Sequence, residues 1–429
     1  MRARRAKPAE IAAFREDVAA GRGRAMQLVR RTKGKGLERE IERACLRARG
    51  FDPQVDGSRG AWLHELAQLG GRTSNLSPRM ERAMAKRVSR DSAWDWTQQF
   101  EWLAREAQQG NESARNAVLE AFPRRHHDLG QSVARPYLDA TGRAGFEAAW
   151  DSIRDGDDGF EREEFVRAAI AVLGRAEIER RIGRALLRRI LRRKERPVAV
   201  RARSWSTRDV EATISGAKTV RSVPLIAWAK SARRGELQRL DERITTERDR
   251  TSLLRILRVF SARPLHAGRE RARQLARGRD RQLASAAVLA LVRAGDELAL
   301  STARDRLRAT TVLRDSRWLP LLASGGDDAD ARALARRLPA SPSVRLAHDV
   351  GVAVLEWAKR GVTKELLSLL LWTWDHTPCG HCRTAVLHAL LQTGRAPARV
   401  LREARFDALP GVEALARHAQ GRSRRSRGA

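Results

Sequence analysis

The feature that most constrains the fold is a glycine that recurs in the second half of the chain, each time after an apolar helical segment. Gly295, Gly326, Gly361 and Gly394 are 31, 35 and 33 residues apart. Between them Ala, Leu, Arg and Glu recur at helical spacing, whereas hairpin turns between alternating apolar runs are lacking. A period of this size is typical of stacked helical hairpins. The sequence therefore predicts an all-α fold, a HEAT/armadillo-like α-solenoid of stacked helical hairpins.

Breaks in this pattern divide the chain into four parts. Residues 1–40 form a basic N-terminal segment. The acidic stretch Asp151–Glu164 is predicted to be a loop or linker, and Pro197–Thr207 is predicted to be a second break. A boundary near residue 200 follows. It separates an N-terminal helical region at 41–200 from a HEAT-like repeat array at 201–420, after which the polar tail at 421–429 is predicted to be disordered.

Membrane and secreted classes are disfavoured by composition. No run approaches the roughly 18 apolar residues that span a bilayer, and the basic N-terminus lacks the apolar segment of a secretory signal. Three cysteines do not build a disulfide framework. We therefore expect a cytoplasmic chain without a transmembrane segment. Its oligomeric state is left open.

The net charge has two interpretations. The chain carries 85 Lys and Arg against 52 Asp and Glu, a formal charge of +33. Such an excess is typical of proteins that bind nucleic acid or another polyanion. Most of these cations are Arg, however, and Ala is abundant beside them, which a GC-rich genome produces without selection for binding. Both interpretations stay open.

One segment, Glu177–Lys194, predicts a single basic amphipathic helix. Its apolar side faces the core, and arginines cluster on the other side. Such a face suits a phosphate backbone, an anionic lipid surface or an acidic partner. The alternative is a core-facing helix with a solvated arginine surface. The candidate polyanion-binding residues are Arg180, Arg181, Arg184, Arg188, Arg192 and Arg193.

Four stretches together resemble a family of uncharacterised bacterial HEAT-like repeat proteins. The resemblance covers roughly residues 40 to 418 and implies an α-solenoid fold. It implies no reaction, because the family has no activity to carry over. The stretches are Ala44-Cys45-Leu46 with Phe51-Asp52-Pro53-Gln54 and Gly57-Ser58-Arg59; Gln109-Gly110-Asn111 with Ala114-Arg115-Asn116-Ala117-Val118; Asp128-Leu129-Gly130-Gln131-Ser132 with Tyr137-Leu138; and Thr377-Pro378-Cys379-Gly380-His381-Cys382-Arg383 with Arg405-Phe406-Asp407.

The pair Cys379 and Cys382 follows a run rich in Leu and Trp. At a helix N-terminus such a pair can form a redox site, but a thioredoxin-like domain needs strands around it, and the residues that follow have a helical pattern. A zinc site would use these cysteines with two of His376, His381 and His388, yet zinc usually takes ligands from two paired clusters. We expect no metal and no cofactor, and keep Cys379 and Cys382 as a candidate redox pair.

Catalytic and calcium-binding motifs are weak. If Glu164 is the twelfth position of a calcium loop, Ile153 stands at the first position and Asp158 replaces the glycine of the turn. Phosphate-binding glycine loops, His-Glu-x-x-His and Gly-x-Ser-x-Gly do not occur. No catalytic residue and no small-molecule substrate is therefore identified.

The prediction for function is a non-enzymatic HEAT-like repeat scaffold that binds a protein partner or a polyanion on its concave surface. One alternative is a sequence-independent binder of duplex nucleic acid. A second is a HEAT-like DNA glycosylase-type enzyme, which rests on fold analogy alone. Duplex affinity that falls steeply with salt would favour the first alternative, and base release from alkylated DNA would favour the second.

Overall fold

The computed structural model describes residues 4–48, 59–85, 93–125, 133–156, 159–192, 205–216 and 222–425. Throughout these ranges the regular secondary structure is helical: they hold 25 helices and no strand. The all-α prediction is confirmed. None of the described helices combines the length and the apolar character needed to cross a bilayer.

The helices group into two compact units. Unit 1 comprises Met1–Arg193 and Pro378–Ala429, and unit 2 comprises Lys194–Thr377. The helices of unit 1 are α1 Pro8–Ala19, α2 Gly23–Thr32, α3 Glu38–Leu46, α4 Arg59–Leu69, α5 Thr73–Met84, α6 Ala93–Gln108, α7 Glu112–Arg125, α8 Ala134–Asp155, α9 Gly159–Leu173, α10 Arg175–Ile182, α11 Arg184–Arg192, α23 Gly380–Gln392, α24 Ala398–Ala404 and α25 Pro410–Arg425.

Unit 2 is a continuous stretch of chain. Its helices are α12 Thr207–Ser215, α13 Ser222–Ser231, α14 Arg234–Thr246, α15 Arg250–Phe260, α16 Arg269–Arg277, α17 Arg281–Arg293, α18 Glu297–Ala309, α19 Leu319–Gly325, α20 Asp328–Ala335, α21 Val344–Ala358 and α22 Lys364–His376.

Aromatic side chains fill the middle of unit 1. The rings of Phe122 and Tyr137 are stacked with their centroids 4.0 Å apart, and Phe165 and Phe146 continue the stack. Tyr137 is fully buried, and its hydroxyl donates to the Gly145 carbonyl over 2.9 Å. This satisfied hydroxyl lets a large ring be buried without the cost of an unpaired polar atom.

The two ends of the chain pack together in unit 1. Helix α24 packs against α2, the Ala408 N–H donates to the Gly21 carbonyl over 2.9 Å, and Ala408 belongs to the same apolar core as the N-terminal helices. The two helices approach so closely that a Cβ on Gly23 would lie 1.9 Å from the Glu403 carbonyl oxygen. The contact-based division thus differs from the predicted domains, which placed residues 378–420 in the array that begins at 201.

Neighbouring helices in unit 2 pack in a regular order. Helices α13, α15, α17, α19 and α21 form one row, in which each packs against the next member. The helices between them pack against this row, as α14 does on α15, α16 on α17, and α18 on α19. Each helix of the row is therefore followed by the next row helix, and α14, α16 and α18 each pack on the row helix that comes after them in sequence.

Ion pairs repeat along the other helices of unit 2. Arg273 of α16 pairs with Asp296, which caps α18. Arg304 of α18 lies 2.8 Å from Asp330 in the first turn of α20. Arg332 of α20 lies 3.1 Å from a glutamate of α22. Each arginine thus reaches the start of a following helix, where a carboxylate is also favoured by the helix dipole.

The recurring glycines do end helical segments. Gly295, Gly361 and Gly394 have positive φ values of 61°, 124° and 66°, the left-handed conformation that glycine adopts without steric cost. Gly326 differs, because it follows α19 in an extended backbone conformation, with φ of −73° and ψ of 162°. The helix boundaries predicted from these glycines are confirmed.

Candidate functional site

The arginine-rich stretch singled out by the sequence forms two helices. Gly183 has a φ of 81°, so the chain leaves α10 after Ile182 and begins α11 at Arg184. The prediction of one helix over Glu177–Lys194 is therefore wrong. As a result, the candidate arginines are divided between two helices with different surroundings.

The two candidates on α10 are compensated by carboxylates. Arg180 forms an ion pair with Glu177, three residues earlier. The Arg181 Nε lies 2.7 Å from Glu177 Oε1, and its Nη1 lies 2.5 Å from Glu147 Oε1 on α8. These hydrogen bonds from Arg181 lower the pKa of both glutamates. The positive charges of Arg180 and Arg181 are therefore balanced by glutamates of unit 1.

Three arginines of α11 have no such compensation among the residues that the structure describes. Arg184 and Arg188 lie one turn apart and are exposed, and neither forms an ion pair with a residue that the structure describes. Arg189, which the sequence analysis omitted, is exposed on the same helix and is equally without a carboxylate partner in the described ranges. Arg192 ends the helix. Its side chain and the whole of Arg193 lie outside the described residues.

The apolar side of α11 is fixed to unit 1. Leu187 is fully buried and Ile190 is 5% exposed, and Leu186 and Leu191 pack partly buried against the same core. Burial of one such side chain contributes about 1.5–3 kcal/mol. The helix therefore presents its arginines from a rigid base, and its apolar side is not available for insertion into a lipid surface.

Many other arginines are occupied by the fold itself. In unit 2 the Arg255 Nη1 donates to the carbonyls of Thr213, Ile214 and Gly216, which end α12. The Arg317 Nη1 likewise donates to the carbonyl at the end of α16 over 3.0 Å. Such cations satisfy helix-end carbonyls that have no partner within their own helix. The net charge of +33 therefore overstates the charge available to a partner.

The predicted acidic loop at Asp151–Glu164 is mostly helical. Helix α8 continues to Asp155, and α9 begins at Gly159, with 157–158 outside the described residues. Asp155 accepts from Arg154 Nε over 2.9 Å, and this hydrogen bond lowers its pKa. The loop prediction is therefore wrong for the described residues of this stretch, apart from the break between α8 and α9.

The cysteine pair lies at the start of α23. Cys379 occupies the N-cap position and Cys382 the first turn. They are 2% and 5% exposed, and no disulfide joins them. His381 and His388 are exposed and thus lie on a different face of α23 from Cys382. Thiol–disulfide exchange requires access to a sulfur, and this burial does not provide it.

A buried polar cluster in unit 1 was missed by the sequence analysis. Arg59, at the start of α4, is 3% exposed. Its Nε donates to Gln98 Oε1 over 2.8 Å, and its Nη1 donates to the Ala19 carbonyl over 2.9 Å. Gln98 Nε2 in turn donates to the carbonyls of Ala44 and Cys45, each over 2.8 Å. Burial lowers the pKa of Arg59 to about 10.

Two further parts of unit 1 carry buried ionisable groups. Burial raises the pKa of Glu101 to about 8, although its Oε2 accepts from the Gly60 N–H over 2.7 Å. Arg383 binds Asp407 through two hydrogen bonds of 2.9 and 3.0 Å, with both side chains at most 3% exposed. Arg59, Arg383 and Asp407 all stand in the stretches that carried the family resemblance. The resemblance itself stays a prediction.

Comparison of the chain with family models, curated proteins and solved structures finds no match. The candidate site thus depends on its own geometry. That geometry is a short helix whose apolar side is buried and whose exposed arginines, Arg184, Arg188 and Arg189, have no carboxylate partner among the described residues.

Proposed function

We propose that this chain is a non-enzymatic scaffold of stacked helical hairpins, of the HEAT-like kind, that binds a polyanion through helix α11. The observation that carries the proposal is a set of three arginines, Arg184, Arg188 and Arg189, that have no carboxylate partner within the described ranges and lie on a helix without an acidic residue. The neighbouring helix α10 provides the contrast, because its candidate arginines are paired with glutamates.

The packing order of unit 2 supports the scaffold part of the proposal. A row of helices in which each member packs on the next, with the intervening helices covering it, is the arrangement expected of stacked hairpins. The ion pairs Arg273–Asp296 and Arg304–Asp330 recur at equivalent places along it. Repetition of both packing and polar contacts favours one structural unit used several times.

A duplex nucleic acid is the polyanion that fits α11 best. Double-stranded DNA carries one charge per about 1.7 Å of its axis, so neighbouring arginines on a rigid helix meet phosphates without reading a sequence. Arg184 and Arg188 lie about 6 Å apart along the helix axis. A lipid surface is disfavoured, since interfacial helices insert an apolar face, whereas Leu187 and Ile190 are buried in the protein.

The test is the salt dependence of duplex binding. A short labelled duplex is titrated with the full chain between about 50 and 200 mM salt, and affinity is followed by fluorescence anisotropy. The variant Arg184→Gln/Arg188→Gln/Arg189→Gln is expected to bind more weakly at every salt concentration. Its slope of log affinity against log salt is expected to fall by about 2.7, because each lost phosphate contact removes about 0.9.

A matched control removes the same charge from paired positions. Arg143, Arg175 and Arg180 are exposed residues of unit 1, and each pairs with a glutamate three or four positions away. Their triple replacement by Gln is expected to change the slope by less than half as much. Equal effects of the two triple variants, or no duplex binding at low salt, would overturn the polyanion proposal. Base release from alkylated duplex by the parent chain would overturn its non-enzymatic part.

A further inference from the structure

Unit 2 contains a partly open cavity that the proposed function does not use. Its volume is about 240 Å³, and it lies between α18, the connection that follows α18 and the start of α19. The residues that matter for its chemistry are Arg306, Leu307, Leu313, Arg314, Trp318 and Leu322.

The connection that forms one wall of the cavity is held in place by Arg337, two positions after the end of α20. The Leu313 N–H donates to the Arg337 carbonyl over 2.8 Å. The Arg337 guanidinium binds back to the carbonyls of Thr310, over 2.8 Å, and Arg308, over 3.1 Å. Because these bonds tie both the start and the middle of the connection, the cavity is a fixed part of the fold.

The wall of the cavity is apolar and well packed. Leu307, Leu313 and Trp318 are 5–6% exposed, and Leu322 is 2% exposed. Side chains that are buried to this extent have fixed rotamers, so the wall is preorganised for a ligand. Trp318 offers an aromatic surface, which favours a planar ring as the apolar part of that ligand.

The charged residues of the cavity leave a positive excess. Arg306 and Arg314 are exposed, and neither forms an ion pair within the described ranges. Arg306 instead lies over the Trp318 ring, 5.0 Å from its centroid. Asp315 is the one carboxylate of the lining, and Arg317 binds it through Nε, over 3.0 Å, and Nη2, over 2.7 Å.

Arg317 is the direct ion-pair partner of Asp315, and the charge of Arg306 also attracts this carboxylate without contacting it. Burial by itself would raise the pKa of Asp315, but the Arg317 hydrogen bonds outweigh it and hold the pKa below its usual range. The carboxylate is therefore ionised and matched by Arg317. The two remaining cations of the lining, Arg306 and Arg314, would therefore bind an anionic group.

We propose that this cavity binds an aromatic carboxylate, with its ring system between Trp318 and the leucines and its carboxylate at Arg306 and Arg314. An apolar protein cavity of about 150 Å³ holds a benzene ring, so the larger volume here fits a ligand of two fused rings. Pockets of this kind combine apolar walls with a few polar groups that fix the orientation of the ligand.

The test uses 2-naphthoate with the full chain and isothermal titration calorimetry. Its uncharged match is 2-naphthalenemethanol, which keeps the rings and lacks the carboxylate. We expect 2-naphthoate to bind about tenfold more tightly than the alcohol, the difference that one charge-assisted hydrogen bond supplies. Equal affinity for the two compounds, or no binding of 2-naphthoate at millimolar concentration, would overturn the proposal.

Two variants locate the binding. Arg314→Gln is expected to weaken 2-naphthoate about fivefold or more and to leave the alcohol unchanged. Arg336→Gln removes the same charge from an exposed position of unit 2 outside the lining, and it is expected to have no effect. Ala309 is an exposed lining residue, so Ala309→Trp is expected to block both compounds without disturbing the core. Equal behaviour of Arg314→Gln and Arg336→Gln would overturn the assignment to this cavity.

The proposal is separable from the polyanion proposal. The Arg184→Gln/Arg188→Gln/Arg189→Gln variant changes unit 1 only, and its 2-naphthoate affinity is expected to equal that of the parent chain. Parallel loss of 2-naphthoate and duplex binding in this variant would contradict a cavity site in unit 2.

Discussion

The indole N–H of Trp62 donates a 2.7 Å hydrogen bond to the carbonyl of Phe406, although 344 positions separate the two residues. The ring of Phe406 also receives the Arg30 guanidinium, whose carbon lies 4.1 Å from the ring centroid. Helices α2 and α4 therefore complete their packing only with residues from the C-terminal part of the chain.

Truncation after Thr377 is expected to unfold unit 1 and to spare unit 2. The cut removes α23 to α25, which exposes the buried faces of α2 and α4 to water. Hydrogen exchange should show faster exchange throughout the helices that precede residue 193, while α13 to α22 keep their protection. A chain that ends at Arg425 is the control, because it retains every described helix. Full protection of α2 in the shorter chain would contradict this prediction.

Substitution of Gly23 tests the close approach of the two chain ends. In Gly23→Ala the new Cβ would lie 1.9 Å from the Glu403 carbonyl oxygen, so α2 and α24 must separate. We expect a loss of about 2 kcal/mol or more in the free energy of unfolding. Gly235→Ala is the matched control, since its Cβ meets nothing within 4 Å. It is expected to stabilise by up to about 1 kcal/mol. Urea unfolding measures both, and equal effects would rule out the close contact.

Removal of Arg383 is expected to cost more than removal of an exposed arginine. Arg383→Ala leaves the buried Asp407 carboxylate without its cation, and we expect a loss of about 3–5 kcal/mol. Arg135→Ala breaks an exposed pair with Asp139, so about 0.5 kcal/mol or less is expected. The double variant Arg383→Met/Asp407→Asn should recover part of the loss, because no charge stays buried. A double variant no more stable than Arg383→Ala would show that the loss is not electrostatic.

The raised pKa of Glu101 predicts that the free energy of unfolding falls as the pH rises. Burial raises its pKa to about 8, compared with about 4.3 in an unfolded chain. Between these values the folded chain holds a proton that the unfolded chain has released. The stabilisation is therefore complete below about pH 4.3 and is lost as the pH rises towards 8.

The variant that tests this is Glu101→Gln, which keeps an acceptor for the Gly60 N–H and does not titrate. It is expected to be more stable than the parent at pH 8 by about 1 kcal/mol or more, and to have a shallower profile between pH 5 and 8. Urea unfolding across this range measures the profile. Glu120→Gln, at an exposed position, is expected to follow the parent. A Glu101→Gln profile parallel to that of the parent would contradict a titrating Glu101.

Local sequence signals predicted the helical class and the helix ends at the four recurring glycines. Gly295 and Gly394 mark helix ends because the left-handed conformation is a property of the residue itself. These features depend on a few neighbouring residues, so a single sequence is sufficient to find them.

Features that depend on distant contacts were not predicted. Gly183 stands in a stretch whose neighbours all favour helix, and it breaks the helix where α10 and α11 each pack against α9. The contact between Trp62 and Phe406 joins residues with no periodic relationship in the sequence. The pairing of Arg181 with Glu147 depends in the same way on how α10 lies against α8. The sequence therefore located the candidate site by its charge. It could not show which of the arginines are paired with carboxylates and which are not.

The discontinuous make-up of unit 1 imposes an order on its synthesis. Unit 2 is inserted between residues 193 and 378, so all of it leaves the ribosome before α23 to α25 do. During that interval the apolar faces of α2 and α4 cannot pack against the C-terminal helices. A nascent chain in this state is prone to aggregation or to binding by chaperones. Translation speed through unit 2 thus sets how long the first-made helices stay incomplete.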